Sequence, residues 1–202
     1  APSDLRAGGS FTARRQGAQV WAVGGAGAGG GGVTLDAMGA LFVGGTQPDS
    51  YRANVAYPGN AVTIVSQDTS TGITIDGALC GQLGGAVVVD APKMSISKAS
   101  LAAGNASADV RVRGGSLTIT DSLVSGTSST VEVTGALTLT RSGIEATNGD
   151  LTVRAYSGDL SVNGSTIRAI GGGAFVDVAA SGSVAIEGDS DLANTSGSIL
   201  FV

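Results

Sequence analysis

Pairs of apolar residues that alternate with polar ones return along this chain at a nearly fixed interval, and few architectures allow that. Val87 and Val89, Val110 and Val112, Val131 and Val133, Leu151 and Val153, Val176 and Val178, and Ile199 and Phe201 open successive units 20–25 residues apart. A second pair follows in each unit: Met94 and Ile96, Leu117 and Ile119, Leu137 and Leu139, Leu160 and Val162, Val184 and Ile186. A third apolar position closes the unit at Leu101, Val124, Ile144, Ile167 and Leu192. Three columns that share one spacing mark a stacked repeat.

The local period is two, so each pair reads as a short strand. The abundance of Gly, Val, Thr and Ser disfavours helix throughout. A unit of this size cannot bury its apolar edge alone and must stack on the next. The expected fold is therefore all-β: a single-stranded parallel β-helix, or β-solenoid, of about eight coils of 20–25 residues. Neighbouring coils should rise by ~4.8 Å. Upstream the pattern continues more faintly. Val62, Ile64, Ile73 and Ile75 make one coil, Val33, Leu35, Leu41 and Val43 another, and Phe11, Ala13, Val20 and Ala22 the first. Residues 1–59 read as diverged N-terminal coils or a cap, with a side loop at 44–59. Residues 60–202 read as regular repeats that end in mid-coil. Many of the 34 glycines fall at expected corners, where a positive φ would favour them.

Composition narrows the chemistry. With no histidine there is no imidazole base, relay or ligand. One cysteine, Cys80, cannot form an internal disulfide or a thiolate zinc site. Cys80 falls in the column of Leu101 and reads as a small buried apolar residue. A net charge of −5 argues against nucleic acid as partner. No run approaches the ~18 apolar residues of a membrane span. The acidic residues scatter over corners and outer faces rather than stacking in one groove, which argues against an enzyme. The expectation is no cofactor and no metal.

The stretch 149–188, GDLTVRAYSGDLSVNGSTIRAIGGGAFVDVAASGSVAIEG, and the stretch 115–146, GSLTITDSLVSGTSSTVEVTGALTLTRSGIEA, resemble the haemagglutinin repeats of filamentous-haemagglutinin-type adhesins. The resemblance covers about half of the chain. It implies a secreted or surface-displayed bacterial fibre with an adhesive or scaffolding role.

Several features stand out as candidate sites. Tyr51, Arg52 and Tyr57 lie in the segment that interrupts the register, where a rigid repeat would present a binding loop to a cell-surface protein or polysaccharide. Ile199 and Phe201 sit on the last strand and could carry head-to-tail self-association, which propagates into a filament. The run Gly24 to Gly32 lacks the Lys-Ser/Thr of a phosphate loop and reads as a corner. Ser95, Thr118, Thr138 and Ser161, with Ser97, Thr120, Thr140 and Asn163, should form two outward hydroxyl rows, flanked by Lys98, Asp121 and Arg141. Such rows suit a solvated sheet, with ice binding as a remoter use. On another face Arg111 and Glu132 should be neighbours in successive coils, beside Arg113, Arg154 and Asp177. An exposed pair of that kind contributes of order 0–1 kcal/mol.

The expected role is an extracellular adhesin stalk or surface fibre used in attachment. The alternative is a self-assembling head-to-tail subunit of a biofilm-matrix or holdfast-anchor filament. An ice-binding protein and a polysaccharide-active enzyme stand behind these two.

Overall fold

Alternating inward residues at a recurring spacing are satisfied by a three-sided parallel solenoid. The computed structural model describes residues 3–7, 11–14, 19–21, 33–44, 53–56, 61–81, 85–171, 175–195 and 198–201. Every regular element among them is a β-strand. The strands fall into parallel sheets of nine, eight and eight members, and each strand pairs with its equivalents in the adjacent coils. One coil thus contributes one strand to each sheet, as with Ala108–Val112, Leu117–Thr120 and Leu123–Gly126. At the usual inter-strand spacing the nine-stranded sheet extends roughly 40 Å along the axis.

The core is a continuous column of inward side chains. Val89, Val110, Val131 and Val153 stack from the first sheet, Ile96, Ile119 and Leu139 from the second, and Cys80, Leu101, Val124 and Ile144 from the third. All are essentially inaccessible to solvent. Burial of each large aliphatic side chain stabilises by about 1.5–3 kcal/mol relative to exposure. Because every strand between the two ends of its sheet is paired on both sides, the backbone there is satisfied by the neighbouring coils.

Four expectations change. In the first sheet Val87 pairs with Ala108 and Val89 with Val110, and Ser129 pairs with Leu151 and Val131 with Val153. The apolar pairs alone had aligned Val87 with Val110 and Val131 with Leu151. The true strands hold three inward positions, some filled by Ala108, Ser129 or Ala155, which look neutral in a hydrophobic pattern. A slip of two residues leaves every side chain on its original face, so the inside and outside assignments stand. At the N-terminus Phe11–Arg14 and Gln19–Trp21 are the second and third strands of the first coil. Its first strand is Ser3–Ala7, which pairs with Val33–Ala37. The early coils are also longer than 20–25 residues, with Ser3 opposite Val33 and Val33 opposite Val62. The segment 44–59 contains a third-sheet strand, Ala53–Ala56, so part of it belongs to the wall of the solenoid.

Candidate functional site

The outer surface is built from rows that run along the solenoid axis, and its chemistry follows from which residues the register stacks. On the second sheet Thr74, Ser95, Thr118, Thr138 and Ser161 form one row. Asp76, Ser97, Thr120, Thr140 and Asn163 form the next, and the Ser97 hydroxyl donates to Asp76 at 2.7 Å. The expected rows are therefore present; the first gains one hydroxyl rank at Thr74, and the second is continued by the carboxylate of Asp76.

The corner that follows these rows holds the residues Lys98, Asp121 and Arg141 that flank them, and glycine in other coils. Gly77, Gly164 and Gly188 adopt a positive φ there, of 64°, 54° and 64°. The three coils between use Lys98, Asp121 and Arg141, at φ of 48°, 48° and 46°. A side chain in this region costs of order 1–2 kcal/mol. The ladder holds the conformation: the N–H groups of Lys98, Asp121 and Arg141 donate to the carbonyls of Thr120, Thr140 and Asn163, each at 3.0 Å. Arg141 also grips Asp121 with Nε and a terminal nitrogen, at 2.6 and 2.9 Å. That hydrogen bond, with the nearby charges of Arg141 and Lys98, holds the Asp121 carboxyl below its ordinary range.

Beside this corner lies a column of serines that the hydrophobic pattern did not reveal. The N–H of Ala99 donates to Ser122 Oγ (3.1 Å), that of Ser122 to Ser142 Oγ (3.2 Å), and that of Ser142 to Ser165 Oγ (3.0 Å). Each hydroxyl in turn donates to the carbonyl two residues before it: Thr120 for Ser122, Thr140 for Ser142 and Asn163 for Ser165. All three serines are buried. They link consecutive coils where the wall turns too sharply for the strands to do so. The signal was available in the recurring Asp-Ser, Arg-Ser and Gly-Ser pairs that follow each second strand.

The first sheet carries the charges. Asp90, Arg111, Glu132 and Arg154 occupy one row in four consecutive coils. Arg111 lies 3.7 Å from Glu132. Tyr156 donates its hydroxyl to Glu132 at 2.6 Å, and this contact raises the tyrosine pKa. Arg154 pairs with Asp177 of the next coil. Arg113 at the adjoining corner donates to Asp90 at 2.7 Å and reaches the Ser66 carbonyl at 3.3 Å, so it spans three coils. On the third sheet Arg168 pairs with Glu145 at 2.8 Å. Arg154 and Tyr156 also border a shallow groove of about 300 Å³ whose far side is Ala179, Ala180 and Ser181.

Two further features are local. Cys80 is fully buried in the Leu101 column, and burial pushes its thiol up to about 12, which makes it inert as a nucleophile. Asp68 caps the turn that follows Val62–Ser66. It accepts from the backbone of Thr71, the hydroxyl of Ser70 and the backbones of Gly72 and Ser70, which hold its carboxyl down at about 2.

Of the candidate site residues, Tyr51, Arg52 and Tyr57 lie outside the described residues, as does the run Gly24 to Gly32. Ile199 and Phe201 lie on Ser198–Phe201, opposite Val176 and Val178. Among the described residues no group of three or more His, Cys, Asp or Glu is placed to hold a metal ion, and no helix is long and apolar enough to cross a membrane. Compared with protein-family models, curated proteins and solved structures, the chain matches none.

Proposed function

We propose that this chain is a rigid β-solenoid segment of an extracellular bacterial fibre or stalk that serves in attachment. The observation that carries the reading is the continuity of the stack. Strand pairing, the core column, the serine column and the ion pairs all join one coil to the next along a single axis. Residues spent this way extend a rod by a constant rise per coil, which suits reach and display. The resemblance of 115–146 and 149–188 to haemagglutinin repeats points the same way.

Contact with a cell-surface protein or polysaccharide is assigned to the segment that holds Tyr51, Arg52 and Tyr57. Immunogold labelling of intact producing cells tests the location, and label confined to the cell interior ends the reading. An in-frame deletion of two middle coils, Ala108–Asp150, tests the role. It should leave the protein on the surface and reduce attachment under flow; unchanged attachment would remove the stalk function.

End-to-end assembly through Ile199 and Phe201 is the second reading, supported by the ladder pairing of Ser198–Phe201 with Phe175–Ala180. Electron microscopy of the pure chain separates the two: filaments much longer than roughly 40 Å favour assembly, and uniform short rods favour the stalk.

A further inference from the structure

The charged row on the first sheet has a symmetry that no single chain uses. Along the axis its signs run minus, plus, minus, plus: Asp90, Arg111, Glu132, Arg154. A second copy can lie face to face on this sheet through a two-fold axis parallel to the strands. That operation reverses the solenoid axis and keeps each row opposite itself. Asp90 then meets Arg154 of the second copy, and Arg111 meets Glu132 of the second copy. All four contacts join opposite charges. The neighbouring row also meets without a like-charge pair, since Asp109 falls opposite Thr130 of the second copy. A parallel arrangement in register would set like against like at every coil.

We propose that the outer face of the first sheet is a self-recognition surface that pairs two copies of this chain antiparallel. The two arginines have capacity for it, while Asp90 keeps its bond from Arg113 and Glu132 its bond from Tyr156. Arg111 is 56% exposed and its nearest carboxylate within the chain stands 3.7 Å away, so most of its five donors remain free. Arg154 is 41% exposed beyond its pairing with Asp177. Around this row the face is a regular parallel sheet with small Thr130 and Thr152 between the long side chains, so two copies can approach closely. The face covers roughly 650 Å² at the usual strand and residue spacings. That is below the ~800 Å² per partner of stable complexes, so the pairing is weak, reversible and salt-sensitive, and it gains strength wherever several copies are held together. It is an isologous contact that closes at two copies. It therefore differs from end-to-end assembly, and it stands whether or not the chain belongs to a fibre.

Sedimentation velocity of the pure chain over a concentration series is the test, run at about 20 mM and about 500 mM salt. The expected result is a monomer–dimer equilibrium at low salt that dissociates at high salt. Arg111→Glu alone, or Glu132→Arg alone, should weaken dimerisation at least tenfold, because each sets two like-charge contacts across the two-fold axis. The combined variant Arg111→Glu with Glu132→Arg should restore it. Circular dichroism confirms that each variant is folded; where a reversal does not fold, Arg111→Gln and Glu132→Gln replace it and should weaken pairing to a smaller degree. A monomer at both salt concentrations overturns the proposal. So does an open-ended series of species that ignores the charge reversals, or a folded double reversal that fails to recover the dimer.

Discussion

Two corners of the same coil solve the same steric problem in different ways. Between the second and third strands the chain turns through a left-handed residue, and Lys98, Asp121 and Arg141 take that position in three coils where Gly77 and Gly164 take it in others. Between the first and second strands, Gly135 and Gly158 sit in the turn without a positive φ. There the reason is contact with the coil below. A Cβ on Gly158 would sit 2.6 Å from the Ala136 nitrogen, and one on Gly135 would sit 2.8 Å from the Gly115 carbonyl oxygen. The first corner asks for a conformation, which hydrogen bonds from the next coil can impose on any residue. The second, at Gly135 and Gly158, asks for empty space next to backbone, which a Cβ would fill. Glycine in a solenoid is thus not one signal but two, and the two have opposite tolerance to substitution.

The largest effect should come from breaking the second corner. Gly158→Ala forces a methyl group against the Gly135–Ala136 backbone of the coil below, and overpacking of this kind costs about 1–3 kcal/mol or more. Thermal unfolding followed by circular dichroism should show a clear loss; an unchanged midpoint would mean that the corner is softer than its contacts indicate. Next comes the serine column that braces the left-handed corner. Ser142→Ala removes the acceptor for the Ser122 N–H in a buried site, at about 1–3 kcal/mol. Denaturant titration measures it, and a loss much smaller than this would show that water takes the place of the hydroxyl.

A third kind of corner, the turn capped by Asp68, sharpens the comparison through pH. Its carboxyl lies at about 2 in the folded chain against 3.8 for the free group. A depressed folded pKa means that the stabilisation is complete above about pH 4 and is lost as pH falls towards 2. Asp68→Asn should therefore be destabilised relative to the parent at pH 6, and the difference should shrink below pH 3. A constant difference would assign the effect to packing. The smallest effect is a gain. Lys98→Gly removes the left-handed penalty, of order 1–2 kcal/mol per residue, and brings back part of it as unfolded-state entropy, 0.5–1 kcal/mol. A net stabilisation of up to about 1 kcal/mol is expected. A loss would show that the Lys98 side chain contributes contacts of its own.

Much of the fold was legible before any coordinates. Columns such as Ile96, Ile119 and Leu139 gave the coil and its inside face, because a buried sheet face demands period-two apolar residues. The neighbouring placement of Arg111 and Glu132 followed from the repeat alone. The first-sheet register was misjudged because Ala108 and Ser129 serve as core where the coil is narrow, and small residues carry little weight in an apolar pattern. The N-terminal coils were harder still. Their strands are separated by longer connections, so Val55 stacks on Cys80 without any fixed spacing to announce it.

The amino-acid sequence by itself determined the all-β class, the repeat and the inward columns, since these follow from local period and from the need of a short unit to bury its edge on a neighbour. Only the tertiary structure decided the rest. It set which of the small residues are core, which corners are left-handed, which serines link the coils, and how the Asp90–Arg154 row aligns. These depend on what lies about one coil rise away along the axis, a neighbour some twenty to thirty residues distant in the chain that no local pattern specifies.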